Sequence, residues 1–348
     1  MLTPRSGRIL NYIIRRYITD AVPVPSQAIA DNADLKVSPA TIHNEMAQLE
    51  KEGYLIRPHT SAGCIPSDKG YRYYVESMER VTLPREEQYM ISHTFHQVEK
   101  EVETWVSLTA SLLARMTQNV AVISLPRSTD CMLKHLEIMA VQDTRALMVA
   151  VLGGAVVKQK LINFDTPVSQ AELSAASVKL NSAYAGLTSG RILKNDTELS
   201  PLEKKAREYL VEIMRAEDST ENQEPRLEGW HFMLNQPEFA QNDKMRSLME
   251  LVEQRGLLKL IVPSKLNEPG VHVIIGKENQ NEAVQNCSVV VCRYGLPDEV
   301  SGTMAVVGPT RMPYSHTIPT VHYLSSVLSQ LLGGLYGKNI PTEPNKSN

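Results

Sequence analysis

The chain has 348 residues, of which 42% are hydrophobic, and a net charge of −3. This length predicts two or three domains with their own hydrophobic cores, whereas the longest near-apolar run, residues 146–157, is too short to cross a bilayer. The N-terminus has no secretory signal and the four cysteines lack metal-type spacing. We therefore expect a cytoplasmic protein with reduced thiols and without a metal, a cofactor or a membrane partner.

The N-terminal region is characterised by the order of its elements rather than by charge, because residues 1–75 contain nine Lys or Arg against seven Asp or Glu. Apolar side chains recur at helical spacing along GRILNYIIRRYI, and the prolines of AVPVPS then end that helix. Ser26 can cap a short second helix over about residues 27–32. Ser38 and Pro39 are typical of the start of a third helix.

Two short strands and a fourth helix are predicted next. YLIRP and CIP are typical of strands joined by the turn HTSAG, and Ser67 can cap the following helix. Helix, short helix, turn, capped helix and hairpin is the order of a winged helix-turn-helix, which places its third helix in the major groove. A plain solvent-exposed hairpin is the alternative for the two strands considered alone.

The predicted third helix has a small, polar face opposite the apolar face of Ile42, Met46 and Leu49. Asn and Gln side chains can pair bidentately with adenine, a Thr methyl can contact a thymine methyl, and a helix N-terminus suits a phosphate. We therefore expect DNA contacts from Ser38, Thr41, His43, Asn44 and Gln48 on this helix, and from Arg57, His59, Thr60, Ser61 and Gly63 in the hairpin.

Residues 84–118 are predicted to form one long connecting helix with a heptad-like apolar seam. The seam could pair with a second chain or lie against its own domain, and the spacing alone leaves both open. In the same helix His93, His96 and Glu99 are spaced by three, for which a solvated helix face is favoured over a metal site. The seam consists of Ile91, Phe95, Val98, Val102, Trp105, Leu112 and Met116.

The rest of the chain alternates between strands and helices. NVAVISLP, LKHLEIMAVQ, RALMVAVLG and AVVKQKLINF predict an antiparallel meander, helices follow Ser169 and Ser200, and strands return as VHVIIG, CSVVVCRY and GTMAVVG. Further helices are predicted near 242–255 and 316–336. This order indicates one mixed α/β domain interrupted by an insertion. The expected ranges are 1–83 for the N-terminal domain, 84–118 for the connecting helix, 119–184 and 263–340 for the interrupted domain, 185–262 for the insertion and 341–348 for a disordered tail.

SPATIHNEMAQLEKEGYL followed by PHTSAGCIPSDKGYRYYV resembles the signature of the HrcA family of heat-inducible transcription repressors. LNQPEF, IGKEN, CSVVV and GPTRMPY match the family further along, so the resemblance covers nearly the whole chain. It implies an α+β multidomain fold, with an N-terminal winged helix-turn-helix and a GAF-like α/β domain that is interrupted by an inserted dimerisation domain. It also implies a homodimer that binds an inverted-repeat operator in double-stranded DNA upstream of chaperone operons. The chaperonin would keep the repressor active until heat-unfolded protein occupies the chaperonin.

The chain departs from the family pattern at two positions. His43 stands where the family usually has Arg after the Thr-Ile pair, and Cys64 stands where the loop usually reads Ser-Ala-Gly-Arg. Each change removes a guanidinium that could fork onto guanine or phosphate, so we expect a different operator or a lower affinity. Arg57, Lys51 and Lys69 are the candidates for compensation.

The principal alternative function is a regulator whose GAF-like domain binds a small molecule. Arg311 in VVGPTRMPY could serve such an anion or ligand site, although a structural arginine between domains is favoured. Cys64 could sense oxidation, although an inert exposed thiol is favoured. The sequence has no nucleophile–base pair, GxGxxG motif, P-loop or carboxylate constellation, so we do not expect an enzyme.

Overall fold

The protein combines helices with antiparallel sheets, so its fold is α+β, as predicted. Thr60 and Ser61, the predicted helix near 242–255 and the tail at 341–348 lie outside the described residues. Within the described part, no helix is both long and apolar enough to cross a membrane. The computed structural model describes residues 2–30, 37–59, 63–79, 81–99, 101–128, 131–153, 156–218, 225–239, 270–296 and 300–338.

The N-terminal unit consists of α1 (Pro4–Asp20), α2 (Ser26–Ala30), α3 (Pro39–Lys51), β1 (Leu55–Ile56), β2 (Ile65–Pro66) and α4 (Asp68–Ser77). Thr3, Ser38 and Ser67 are the N-caps of α1, α3 and α4. The side-chain hydroxyl of each accepts a hydrogen bond from a backbone N–H in the first turn of its helix. The predicted starts at Ser38 and Ser67 are thus confirmed, whereas Ser26 is the first residue of α2. β1 and β2 pair antiparallel, as the two predicted strands require.

The C-terminal body is built on an antiparallel sheet in the order β8-β3-β11-β10-β9, with a short β4 beside β11. α6 (Val102–Thr117) and α11 (Tyr314–Leu335) cover one face of this sheet, and α10 (Trp230–Leu234) packs on the other. Its strands are β3 (Val120–Ile123), β4 (Arg127–Ser128), β8 (Arg226–Glu228), β9 (Val271–Ile275), β10 (Cys287–Leu296) and β11 (Val300–Pro309).

The prediction of one long helix over residues 84–118 is wrong, because the chain turns between α5 (Arg85–His96) and α6. Glu101 has an extended backbone, and its N–H donates a hydrogen bond to the Glu99 carbonyl in that turn. The turn lets both halves of the seam pack in one core with α11, where Ile91 and Trp105 are both buried. The seam therefore lies against its own domain.

Between β4 and β8 the chain forms a separate unit with its own core. The predicted meander is confirmed for β5–β7 but is wrong for β3, which pairs with β8 and β11 of the body. This unit spans residues 131–218, whereas the expected ranges grouped 131–184 with the body. The reason is that β5–β7 bury one face against the helices of this unit. The unit contains β5 (Leu133–Gln142), β6 (Arg145–Leu152), β7 (Val157–Asn163), α7 (Gln170–Tyr184), α8 (Ser189–Leu193) and α9 (Pro201–Asp218).

The open face of the β5–β7 sheet carries exposed apolar side chains beside polar ones. Met139, Leu147 and Leu161 form one row across the three strands, and Val151 and Val157 form the apolar part of another row. Leu161 and Val157 remain 60% and 61% exposed, and Met139 remains 41% exposed. We call this set of residues, together with Val149 between the two rows, the outer sheet face. An apolar surface of this kind on a sheet is typical of an interaction site.

Candidate nucleic-acid interface

Helix α3 presents the polar face that the sequence predicted. Its apolar residues Ile42, Met46 and Leu49 are buried in the N-terminal core, and this fixes which side of the helix faces outward. His43 and Asn44 are exposed on that outer side. The structure therefore leaves a helix face of small and polar side chains open to solvent, with few charges that would repel an approaching polyanion.

The two ends of α3 differ in their local contacts. At the N-terminus, the Ser38 hydroxyl accepts a hydrogen bond from the Thr41 N–H over 3.3 Å, and the two hydroxyls lie 2.9 Å apart. At the C-terminus, Gln48 is exposed and its Nε2 donates to Glu52 Oε1 over 2.6 Å. The Gln48 amide must therefore break its hydrogen bond with Glu52 before it can pair with a base. Asn44 is already exposed to solvent.

A polar cluster fixes the orientation of α3 on α1. Arg5 Nε donates to Glu45 Oε1 over 2.8 Å, and the Ser6 hydroxyl donates to Glu45 Oε2 over 2.7 Å. The hydrogen bond from Ser6, together with the Arg5 guanidinium, lowers the pKa of the Glu45 carboxyl. Sequence reasoning missed these residues. The available signal was a carboxylate at Glu45, between Ile42 and Leu49 on the inner side of the helix.

Residues of the predicted hairpin lie in different surroundings. His59 is exposed, while Arg57 is partly buried and its Nε lies 3.3 Å from Glu50 Oε2. Gly63 approaches the backbone of Val24 so closely that a Cβ would lie 2.4 Å from the Val24 carbonyl carbon. Among the ten expected contact residues, Arg57 and Gly63 thus have contacts within the protein, as Ser38, Thr41 and Gln48 do on α3.

The expectation that Cys64 lies exposed at the DNA surface is wrong. Its side chain is 0% exposed, because its backbone N–H and carbonyl pair with Val24 in an isolated β-bridge that turns the thiol into the core. Burial raises the pKa of the Cys64 thiol. A redox sensor needs an accessible thiolate, so this position does not support an oxidation switch.

We expect the thiols of the folded protein to resist labelling. Cys64, Cys131, Cys287 and Cys292 are all buried, and desolvation raises the pKa of Cys292 to about 12. Titration with Ellman's reagent at pH 8 should therefore give a slow reaction for native protein and four rapid equivalents in denaturant. Rapid release of one equivalent from native protein, removed by a Cys64→Ala substitution, would contradict the buried position of Cys64.

Lys69, one of the residues expected to compensate for the missing arginines, contacts the C-terminal end of α3. Its Nζ donates to the Glu52 carbonyl over 2.8 Å and lies 4.2 Å from the centre of the Tyr54 ring. A cation at a helix C-terminus is stabilised by the helix dipole, so Lys69 already has a structural role. Lys51 is exposed and remains a candidate for a phosphate contact.

Arg311 and the histidines of α5 have structural contacts. Arg311 Nη2 donates to Gln236 Oε1 over 2.5 Å, and the guanidinium also pairs with Glu238. These contacts bear out the favoured interpretation of a structural arginine. His96 Nδ1 lies 2.7 Å from a backbone carbonyl and His93 stacks on a tyrosine. In the described ranges no three His, Cys, Asp or Glu side chains are grouped as metal ligands.

A family model and the sequence relatives name one family. The model of the "HrcA protein C terminal domain" matches residues 103–318. The chain is 49% identical over 338 residues to a heat-inducible transcription repressor HrcA of Dehalococcoides mccartyi (strain ATCC BAA-2266 / KCTC 15142 / 195), covering 97% of this chain and 98% of that relative. It is 39% identical to the repressor of the same name from Roseiflexus castenholzii, over 97% and 96% of the two chains. A crystal structure of a hypothetical protein shares the fold, with a TM-score of 0.60 and 23% identity over 96% of this chain and 98% of that one.

Proposed function

The chain belongs to the HrcA family of heat-inducible transcription repressors, and from this membership we propose that it represses heat-shock (chaperone) operons by binding an inverted-repeat operator as a homodimer. Its relatives are regulators of transcription and not enzymes. In this proposal the chaperonin controls the fraction of active repressor. The observation that carries the proposal is the exposed polar face of α3 within the N-terminal unit.

We propose that the N-terminal unit is a winged helix-turn-helix, with α3 as the recognition helix and β1–β2 as the wing. The order α1, α2, α3, β1, β2, α4 supports this assignment. Rigid attachment of the recognition helix supports it as well, because base contacts require a fixed geometry. The Arg5–Glu45–Ser6 cluster supplies that attachment without using any side chain of the outer face.

Within this interface each expected residue has a proposed role. Asn44 is the principal base contact, because its exposed amide can pair bidentately with adenine. Ser38 and the N-terminus of α3 bind a phosphate. The further contacts are Thr41, His43 and Gln48 from α3, and Arg57, His59, Thr60, Ser61 and Gly63 from the hairpin.

The two departures from the family pattern, His43 and Cys64, are expected to affect DNA binding differently. His43 is exposed on α3, so its substitution for arginine removes one guanidinium from the proposed interface. Cys64 is buried, so the thiol itself cannot contact DNA. A protein loses about 0.9 in its salt slope for each lost phosphate contact, and we expect a reduction attributable to position 43 alone.

We propose that a second copy of the chain covers the outer sheet face. An inverted repeat requires a two-fold dimer, whose interface is formed by the same surface of both copies. The edge of the sheet at β5 is closed, because Asn181, Ser177 and Gln170 of α7 hydrogen-bond to its backbone at Leu136, Ile138 and Ala140. The outer sheet face is therefore a better candidate for self-association than this edge.

The proposed function is tested at Asn44. Substitution of Asn44 by Ala should weaken binding to the selected operator by about 5- to 150-fold, since a bidentate base contact is worth roughly 1–3 kcal/mol. The operator is first selected from a random DNA pool with and without chaperonin, and affinity is then measured by electrophoretic mobility shift. Asn286→Ala is the matched control, because Asn286 is exposed far along the chain, next to β10. Equal affinity and sequence preference of the Asn44 and Asn286 variants would contradict the assignment.

A further inference from the structure

The four downstream motifs that accompany the N-terminal signature all contribute to one contact region. LNQPEF supplies Glu238, IGKEN supplies Glu278, CSVVV supplies Ser288, and GPTRMPY supplies Arg311 and Tyr314. The structure brings these residues together, directly or through Tyr314, where the C-terminal body meets the N-terminal unit. None of them lies on the face of α3 that we propose to contact DNA.

The first contact in this region is a two-pronged ion pair from an arginine of α4. Arg72 Nε donates to Glu278 Oε1 over 2.9 Å, while Nη2 pairs with Glu278 Oε2 and donates to the Val273 carbonyl over 2.6 Å. Glu278 Oε2 also accepts from the Ile275 N–H over 2.8 Å, which holds the carboxylate in place. A bidentate guanidinium–carboxylate pair fixes direction as well as distance. The middle of α4 is thereby held in one orientation on β9 and on the turn that follows it.

A second contact places the Asp68 carboxylate against the backbone of the turn that follows β9. Lys277 N–H donates to Asp68 Oδ2 over 3.0 Å. Gly276 has a φ of +53°, and a Cβ at this position would lie 2.3 Å from the same Asp68 oxygen. Glycine suits this position, because it tolerates a positive φ and has no side chain that would displace the Asp68 carboxylate.

A third contact joins the end of α1 to the body. Arg311 Nη1 donates to the Ile18 carbonyl over 3.3 Å while the same guanidinium binds Gln236 and Glu238. Beside it, the buried ring of Tyr71 packs against that of Tyr314 at 6.1 Å between centres. One continuous hydrophobic core contains residues of both units, so the N-terminal unit is seated on the body and not merely tethered to it.

We infer that this contact region, which we call the dock, sets the distance between the two half-sites that a dimer recognises. The inference rests on the proposed function. A dimer whose DNA-binding units hang on flexible tethers would accept many spacings, whereas a seated unit allows the second half-site to bind only where the geometry matches. Residues without any DNA contact would thereby determine operator specificity. The dock consists of Asp68, Arg72, Glu238, Gly276, Glu278 and Arg311.

The test uses full-length protein and inverted repeats whose spacer is varied over about one helical turn, roughly 10 base pairs. Wild type should prefer one spacing by about 100-fold over spacers half a turn away, because the avidity of the second site is lost there. Arg72→Glu should reduce this preference to within a few-fold while affinity for a single half-site is unchanged. The exchanged pair Arg72→Glu with Glu278→Arg should restore part of the preference. Arg16→Glu is the matched control, because Arg16 forms an exposed ion pair with Asp20 within α1.

The outcomes separate the inference from the function on which it rests. If wild type binds no half-site and no palindrome, the proposed function fails. If wild type binds and Arg72→Glu keeps the sharp spacing preference, the dock inference is overturned. Loss of single half-site binding by a folded Arg72→Glu dimer also overturns it, since the residue would then act on DNA contact itself. Should Arg72→Glu not fold, Arg72→Gln is measured in its place. A retained spacing preference or a loss of single half-site binding by that variant overturns the inference in the same way.

Discussion

Substitution of Leu161 by Glu is expected to convert the proposed dimer into a monomer and to reduce affinity for the proposed operator by about 100-fold or more. Leu161 is the most exposed member of the Met139–Leu147–Leu161 row on the outer sheet face. Burial of a leucine contributes roughly 1.5–3 kcal/mol, and two-fold symmetry doubles the loss because each copy carries the substitution. A carboxylate buried at the interface without a partner adds a desolvation penalty.

The matched control for this prediction is Val178→Glu. Val178 lies on α7 of the same unit and is 67% exposed. The change therefore replaces an exposed apolar side chain by a carboxylate outside the outer sheet face. Light scattering coupled to size exclusion measures the oligomeric state, and mobility shift measures binding to one half-site and to the whole palindrome. A Leu161→Glu protein that remains dimeric would refute this surface as the interface. Retained half-site binding in the monomer would show that the N-terminal unit is still folded.

Local elements could be predicted from the sequence where a few neighbouring residues decide the conformation. Ser38 followed by Pro39 predicts the start of α3, because the cap and the fixed proline φ act within one turn. The same holds for the capping box of Ser169 and Glu172 at the start of α7. In each case the preference is encoded in residues within one turn, so it can be recognised without knowledge of the tertiary contacts.

Elements that depend on distant partners could not be predicted in this way. The turn between α5 and α6 follows no proline or glycine, and it forms because both halves of the seam pack on α11. Cys64 lies in a small, polar stretch, yet its bridge to Val24 turns it inward. The dock joins Arg72 to Glu278 across 206 positions of the chain, and helical or strand periodicity carries no information on such a pairing.

Substitution of Tyr314 by Phe is expected to lower the free energy of unfolding by about 2–4 kcal/mol, although only one oxygen is removed. The Tyr314 hydroxyl donates to the Thr310 carbonyl over 2.7 Å and accepts from the Ser288 hydroxyl over 2.7 Å. Tyr314 and Ser288 are both fully buried. Loss of the phenol oxygen therefore removes two hydrogen bonds and leaves the Ser288 hydroxyl without its acceptor in the core.

Tyr71→Phe is the matched comparison, and it should leave the melting temperature unchanged or raise it. The Tyr71 ring contacts that of Tyr314, but its buried hydroxyl has no hydrogen-bonding partner among the described residues. Burial of an unpaired hydroxyl is unfavourable by roughly 1–3 kcal/mol, so its removal relieves that penalty while the ring packing persists. Thermal unfolding of the two full-length variants, followed by circular dichroism, measures the difference. Equal destabilisation by both substitutions would mean that ring packing or a shared partner, and not the Ser288–Tyr314–Thr310 chain of hydrogen bonds, stabilises this part of the body.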